Sequence, residues 1–241
     1  MNTLIDQTVI RKWVLNANDG VISTASIMQG FAGAGAHENT VLFAALALMV
    51  TGGISLGAAA FAEAAQDRSA ELQIVDEEQR QIALNPAQQH AELRQHYMDH
   101  GLAEDLADHV ASILMKKDAL AAQLETEHGM LEQPASALEP WVVAIRGAMG
   151  FVSGALPVTM AVLFAPDDWR LPLTVAVVLA SLAITGLVSA HAGAGHPLRN
   201  VTRAMVIGLV ICVLSYLAGN IFDLIDEVLP QIEIEEDDGE F

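Results

Sequence analysis

Five long, mostly apolar runs constrain this chain of 241 residues more than any other feature of its sequence. They cover Trp13–Ala36, Val41–Ala65, Trp141–Ala165, Leu171–Ala190 and Ala204–Phe222. A helix that crosses a bilayer needs about 20 predominantly apolar residues. The hydrophobic content of 53% is also too high for an ordinary soluble domain of this length. The sequence therefore predicts an all-α integral membrane protein with five transmembrane helices.

The first run contains a carboxylate, Asp19, in the triplet Asn18-Asp19-Gly20. A charged residue at membrane depth is costly, so it usually marks an ion, proton or substrate path. On a helix Asp19 shares one side with other polar or small residues, namely Asn16, Ser23, Ser26, Gly30 and Gly33. In the alternative interpretation the triplet is a turn and Asp19 caps a helix that begins at Val21. That helix, ending at Ala36, would be shorter than the length needed to cross the bilayer.

The basic residues predict an orientation, because lysine and arginine favour the cytoplasmic side of a membrane. An N-terminus in the cytoplasm leaves only Arg170 on the outer side. The other basic residues then lie on or near the cytoplasmic side: Arg11, Lys12, Arg68, Arg80, Arg94, Lys116, Lys117, Arg146, Arg199 and Arg203. The acidic C-terminal tail would be outside. The predicted organisation is spans one and two in 1–65, a cytoplasmic insertion in 66–139, spans three to five in 140–224, and the tail in 225–241.

The insertion is polar and carries 15 acidic and 5 basic residues, with five of the eight histidines. Its apolar residues recur at helical spacing, so it is predicted to be a folded helical domain. Proline, glycine and asparagine divide it into predicted helices at 67–84, 87–100, 103–115 and 118–128, with Gly129 as the last stop.

Carboxylates at helical spacing make the insertion a candidate metal-binding domain. The acidic candidates are Glu71, Glu78, Glu92, Glu125 and Glu127, and Glu92 is followed at intervals of four residues by His96 and His100. Ferrous iron and manganese accept oxygen ligands supplemented by imidazole. The alternative is that these residues form a solvated acidic surface and that His90, His96 and His100 are ordinary surface residues.

Several other functions are disfavoured by the sequence. A di-iron oxidase needs Glu-x-x-His on each of two helices, and this chain has only Glu125 to His128. The serines have no nucleophile-elbow motif around them, and neither a P-loop nor a dinucleotide fingerprint is present. A net charge of −19 without a basic patch excludes nucleic acid as a partner. We therefore expect a protein that is not an enzyme.

Several motifs resemble those of the vacuolar iron transporter family, which includes bacterial members and plant nodulin-like iron and manganese transporters. The segment from Asn18 to Ser26 resembles the first-span signature of that family, and Gly53 to Gly57 resembles its second-span motif. The metal-binding helices are matched by Pro86 through Glu92, Tyr97, Gly101-Leu102 and Asp118-Ala119-Leu120. Gly154 to Pro157 and Ile184 to Ala190 resemble its third and fourth spans.

The resemblance implies a homodimer that exports ferrous iron or manganese from the cytoplasm, in exchange for protons, across the inner (cell) membrane of a bacterium. It implies an ion path between the two first spans with Asp19 as a ligand, and a cytoplasmic site with Glu78, Glu92 and Glu127; Glu71 is a further candidate. No tightly bound cofactor is expected, because the cation is the cargo. The chain departs from the family pattern where it has Leu56 in place of a methionine, and Gln81 and Gln89 in place of glutamates. No methionine pair precedes Glu127, so we expect an altered site in which His90 or His96 takes part.

One other class of function stays open at this point. The chain could be a membrane-anchored metal buffer or sensor that binds the cation without moving it. The polar residues along the first span favour transport, because a simple anchor does not need them.

Overall fold

The regular structure of the described residues is entirely helical. The computed structural model describes residues 2–130, 134–166, 169–192 and 196–237, and the side chains in these ranges except those of residues 2–6, 226, 227 and 229–237. The helices in this part of the chain are α1 (Asn2–Gly33), α2 (Glu38–Leu84), α3 (Pro86–Asp99), α4 (Glu104–His128), α5 (Glu139–Phe164), α6 (Arg170–His191) and α7 (Pro197–Asp237). The predicted all-α class is confirmed.

The chain divides into two compact units. The membrane unit comprises Met1–Phe61 and Trp141–Phe241, and the insertion unit comprises Ala62–Pro140. The first part of α2 belongs to the membrane unit and the remainder to the insertion unit.

Within the described residues, four helices are long and apolar enough to cross a membrane: α2, α5, α6 and the Pro197–Ile225 part of α7. The first helix is not among them, because Asn16, Asn18, Asp19 and Gln29 interrupt its apolar sequence. The structure thus identifies four of the five predicted spans, and a membrane-spanning α1 stays a prediction.

The first helix is continuous through the Asn18-Asp19-Gly20 triplet. It runs from Asn2 to Gly33 without a break, so the interpretation of this triplet as a turn before a shorter helix is wrong. Asp19 is therefore an interior helical residue, with a full helical turn on either side of it.

Small residues allow α1 to approach two other helices very closely. A Cβ atom on Gly154 of α5 would overlap the backbone of Ala17, and one on Gly219 of α7 would overlap the backbone of Gly30. Side chains at these positions would force the helices apart, as is usual where membrane helices pack through glycine and alanine. The core of the membrane unit is formed by α1, α2, α5, α6 and α7, with the buried residues Val21, Ala25, Met28, Val41, Ala45, Val158, Val162, Val178, Leu182 and Cys212.

The helix ends in the insertion unit follow the predicted breakers closely. α2 ends at Leu84 before Asn85 and Pro86. α3 and α4 end shortly before Gly101 and Gly129, whose φ angles are 94° and 65°. These left-handed conformations favour glycine. One boundary was wrong: the predicted helix at 67–84 does not begin at Asp67 but is the second part of α2.

The last helix of the insertion unit consists of two segments, as the separate predictions for 103–115 and 118–128 indicate. Asp118 has an extended backbone, and its carboxylate accepts a hydrogen bond from the Ala121 amide at 3.0 Å. This is a helix N-cap. The two segments of α4 pack on α3 around Leu93, Ala111 and Ala122.

Candidate metal site

Two acidic side chains and one imidazole meet in the insertion unit. Glu78 lies on α2, and Glu127 and His128 are the last two residues of α4 before the turn at Gly129. One ligand atom from each of the three lies within 4.8 Å of the others. His128 Nε2 lies 3.1 Å from Glu78 Oε1. Carboxylate oxygen and imidazole nitrogen are suitable donors for a divalent transition-metal ion.

Glu78 is the buried member of this group, with only 6% of its surface exposed. Its Oε1 atom contacts His128, whereas its Oε2 atom is buried and has no hydrogen-bond partner among the described residues. A buried polar atom without a partner costs about 1–3 kcal/mol, and more when it is charged. A cation bound at Oε2 would remove that cost.

Glu127 has a pKa above its ordinary value. Partial burial is the largest cause, followed by the negative charges of Glu78 and Glu92, while the neighbouring His128 acts in the opposite direction. Like charges held close together disfavour ionisation. A divalent cation would neutralise this repulsion, so the electrostatics of the group favour binding one.

Glu92, on α3, is a third acidic residue near Glu127. Its two carboxylate oxygens accept hydrogen bonds from Gln88 Nε2 at 2.9 Å and from Gln89 Nε2 at 2.8 Å. The Glu92 carboxylate is close enough to Glu127 to raise the pKa of that residue. Three of the predicted metal ligands, Glu78, Glu92 and Glu127, are thus brought together from three helices.

Glu71, the remaining acidic candidate of the insertion unit, has a different environment. Its Oε2 atom accepts a hydrogen bond from the Ala135 amide at 3.1 Å, and Arg68 Nε donates to the Ala135 carbonyl at 2.9 Å. These two bonds fasten the segment around Ala135 to α2. Glu71 therefore has a structural contact of its own and is not part of the Glu78, Glu127 and His128 group.

The histidines of α3, which were expected to take part in an altered site, have other contacts. His90 Nε2 lies 3.0 Å from Ser112 Oγ. The His96 ring lies 4.4 Å from the His100 ring, and His100 Nδ1 lies 2.8 Å from the His96 carbonyl. The imidazole beside the described carboxylates is instead that of His128. Sequence reasoning had considered His128 only as the histidine of the Glu-x-x-His motif.

Asp19 lies in the membrane unit on the side of α1 that faces away from the core. It is exposed, and Ser23 Oγ donates a hydrogen bond to Asp19 Oδ1 at 3.3 Å. Leu15 shares this side and is 66% exposed. Only part of the predicted polar stripe lies on this side: Asp19 is exposed, and Ser23 and Ser26 are half-buried. The other stripe residues are covered, since Asn16 lies against Gly150 of α5, and Gly30 and Gly33 lie against the backbones of Gly219 and Tyr216 of α7.

Two polar contacts that the sequence did not indicate join α1 to α6. Thr185 Oγ1 donates to Asn18 Oδ1, and Arg11 Nε donates to the Ala192 carbonyl at 3.0 Å. The first contact connects the segment from Asn18 to Ser26 with the segment from Ile184 to Ala190, two of the motifs on which the family resemblance depends.

Comparison with known proteins identifies the family of this chain. Residues 10–220 match the VIT family. The chain belongs to the VIT family. All the motifs named above lie within the matched residues, and the predicted resemblance is confirmed.

Relatives of this VIT-family chain carry the name vacuolar iron transporter. The vacuolar iron transporter of Acanthamoeba castellanii is 29% identical over 196 residues, which cover 80% of this chain and 71% of the relative. Vacuolar iron transporter 1 of Tulipa gesneriana is 24% identical over 212 residues, covering 86% and 85%. Vacuolar iron transporter 2 of Oryza sativa subsp. japonica is 27% identical over 206 residues, covering 83% and 82%.

Membership establishes the general class of the protein. Together with its four apolar helices, it identifies the chain as a membrane protein. VIT-family proteins are transporters and not enzymes, so the prediction that this chain is not an enzyme is confirmed.

Proposed function

We propose that this protein exports a divalent metal cation, ferrous iron or manganese, from the cytoplasm in exchange for protons, and that it works as a homodimer. The observation that carries this proposal is the Glu78, Glu127 and His128 group, with its unpartnered Glu78 oxygen, in a chain whose relatives carry the name vacuolar iron transporter. The group binds the cation before transport, and Asp19 binds it within the membrane.

The ligand types favour intermediate metals. Carboxylates alone suit magnesium, calcium and manganese, whereas an added imidazole extends the preference to iron, cobalt and zinc. Ferrous iron and manganese accept both carboxylate oxygen and imidazole nitrogen as ligands. The direct test is titration of the purified full-length protein with manganese, comparing the original chain with a Glu78→Gln variant. The proposal requires weaker binding by the variant.

The uncovered side of α1 supports the homodimer. If α1 also crosses the membrane, Asp19 on a lone protomer would face hydrocarbon, which costs about 3 kcal/mol or more. In a two-fold dimer the same patch of each copy meets its counterpart. Pairing through the sides that carry Leu15, Asp19 and Ser23 would bring two carboxylates together away from lipid and create a polar path between two copies of α1.

Contacts at the helix ends support the five-span arrangement. Arg11 near the start of α1 bonds to Ala192 at the end of α6, and Glu38 at the start of α2 forms an ion pair with Arg170 at the start of α6. These pairs agree with a chain in which α1 enters the membrane from the side where α6 leaves it. With the bias of lysine and arginine, that side is the cytoplasm.

Transport is tested by metal flux into proteoliposomes across a pH gradient. Asp19→Asn keeps the size of the side chain and removes its charge, so we expect flux to fall to background. Asp105→Asn is the matched control, because Asp105 is an exposed carboxylate of the insertion unit. Undiminished flux in Asp19→Asn would exclude the assigned role of Asp19. Flux that ignores the pH gradient would exclude proton exchange.

A metal buffer or sensor is the second candidate, because the residues of the metal site all lie in the insertion unit. The same experiment separates the two functions. A metal-buffering protein would bind manganese in detergent solution through the Glu78, Glu127 and His128 group. It would move no manganese into proteoliposomes under any gradient.

A further inference from the structure

The beginning of α7 carries two exposed arginines, Arg199 and Arg203, one helical turn apart. We propose that their guanidinium groups bind the phosphate group of an anionic phospholipid, whose acyl chains lie along the apolar surface that continues down the same side of α7. The inference concerns the outside of the membrane unit and is independent of the metal site in the insertion unit.

The two arginines have no anionic partner in the protein. Neither guanidinium group forms an ion pair or a side-chain hydrogen bond within the part of the chain that the structure describes. Neither α6 nor the 197–222 part of α7 contains an aspartate or a glutamate. The whole chain has 30 acidic and only 11 basic residues, so this pair forms a local positive patch in an acidic protein. A phosphate group would supply the missing anion, and arginine binds phosphate through two parallel hydrogen bonds.

The side of α7 that carries the arginines continues as an exposed apolar surface. At about 100° per residue, Val206, Val210 and Leu217 follow Arg199 and Arg203 on one side of the helix. These three apolar side chains are 60%, 49% and 51% exposed. A positive patch followed by an apolar strip has the complementary chemistry of a phospholipid, which has an anionic head and apolar tails.

The opposite side of α7 makes the contacts with the rest of the membrane unit. Gly208 is buried against Leu182 of α6, and Gly219 is buried against the backbone of Gly30 of α1. The helix rotation places both glycines roughly opposite the arginines. The side with the arginines therefore points away from the bundle, towards lipid.

The arginines also lie at the depth of lipid headgroups. At about 1.5 Å per residue, Arg199 lies about 30 Å before Gly219 along α7, and Arg11 lies about 28 Å before Gly30 along α1. Arg11 Nε donates to the carbonyl of Ala192, where α6 ends, so the starts of α1 and α7 share one end of the unit. The hydrocarbon core of a bilayer is about 30 Å thick, which places these arginines at its boundary. The distribution of basic residues assigns this boundary to the cytoplasmic side, where anionic lipids concentrate.

The test measures the affinity of the purified full-length chain for phosphatidylglycerol in detergent, by native mass spectrometry with a chelator present. The variant is the double substitution Arg199→Gln and Arg203→Gln. Lys116→Gln with Lys117→Gln is the matched control, because it removes the same charge from two exposed residues of the insertion unit. Each basic residue near an anionic lipid strengthens binding by roughly 5-fold, so we expect a loss of roughly 30-fold in the arginine variant. The control should keep the original affinity.

A conservative variant separates phosphate binding from a structural role. Arg199→Lys with Arg203→Lys keeps both charges and should recover most of the affinity. A loss as large as in the glutamine variant would show that the arginines do not act through their charge. If the glutamine variant does not fold, the lysine variant and the lipid preference of the original chain decide.

Three other results would overturn the proposal. The first is equal affinity of the original chain and the glutamine variant. The second is equal binding of phosphatidylcholine and phosphatidylglycerol by the original chain, because the anionic charge would then not be recognised. The third is an increase in melting temperature with inorganic phosphate as large as that with phosphatidylglycerol at the same concentration, because the acyl chains would then contribute nothing. The proposed metal transport is unaffected by any of these results, since no metal is present.

Discussion

His128 Nε2 lies 3.1 Å from Glu78 Oε1, although 50 positions separate the two residues in the chain. The contact joins the end of α4 to the second part of α2. It supplies the only nitrogen donor of the Glu78, Glu127 and His128 group, and it makes the affinity of this group for nitrogen-preferring metals depend on a single side chain.

Replacing His128 should therefore change the metal preference of the site. In His128→Ala we expect cobalt affinity to fall by roughly 10-fold or more, while manganese affinity falls less, because manganese binds imidazole more weakly than cobalt does. Competition titrations with the two metals measure the ratio. His109→Ala is the control, since His109 is an exposed histidine of α4. Equal losses for both metals would show that His128 supports the site without coordinating the ion.

The raised pKa of Glu127 predicts how pH affects the metal-free protein. A carboxyl whose folded pKa lies above its unfolded value of 4.5 opposes folding when it is ionised. This opposition is absent below pH 4.5 and fully present above the raised folded pKa, so stability should fall as pH rises through that window. Melting temperatures measured with a chelator present should show this decrease, and Glu127→Gln should reduce it.

Bound metal should counteract this fall in stability at higher pH. Above the raised pKa of Glu127, added manganese should increase the melting temperature, because the cation stabilises the ionised carboxylates. A stability that rises with pH through this window in the metal-free protein would contradict the assigned electrostatics of the site.

The close approach of α1 to α5 predicts that Gly154 cannot be enlarged. Gly154→Ala places a Cβ atom in the backbone of Ala17, whereas Gly30→Ala places one 3.6 Å from the Ser215 carbonyl, an ordinary contact distance. Overpacking of this kind costs about 1–3 kcal/mol. We expect Gly154→Ala to lower the melting temperature of the purified protein and its yield in gel filtration, and Gly30→Ala to leave both unchanged. If the two variants have the same melting temperature and the same yield, α1 and α5 can move apart at Gly154 without a loss of stability.

Cysteine cross-linking tests the proposed dimer face of α1. The only native cysteine is Cys212, which is buried, so a Cys212→Ala background leaves introduced cysteines as the reactive ones. Leu15→Cys should form a disulfide between two copies in membranes under oxidising conditions. Phe43→Cys, at an exposed position of α2, should not. Cross-linking through position 43 and not through position 15 would show that the dimer interface does not contain Asp19.

The sequence indicated helix ends better than helix continuity. Pro86, Gly101 and Gly129 act locally, through backbone geometry, and their effects could be read directly from the chain. The junction between the second apolar run and the polar insertion changes composition without containing a helix breaker, so α2 continues through it. A change of polarity alters the surroundings of a helix, but it does not alter the backbone hydrogen bonds that continue it.

The site was predictable only in part, for a similar reason. Glu78, Glu92 and Glu127 were proposed from helical spacing and from the family resemblance. His128 was not, because it follows Glu127 directly and adjacent helical residues point about 100° apart. Its place beside Glu78 depends on how α4 packs against α2.

The glycine contacts of α1 have a consequence for how the protein is made. The helix α1 is synthesised before α5 and α7, yet these two later helices contain Gly154 and Gly219, which pack on Ala17 and Gly30. Its closest packing partners are therefore absent until most of the chain has been translated. This helix therefore leaves the ribosome well before it can be completely surrounded, and the synthesis of α5 and α7 determines when it becomes fixed.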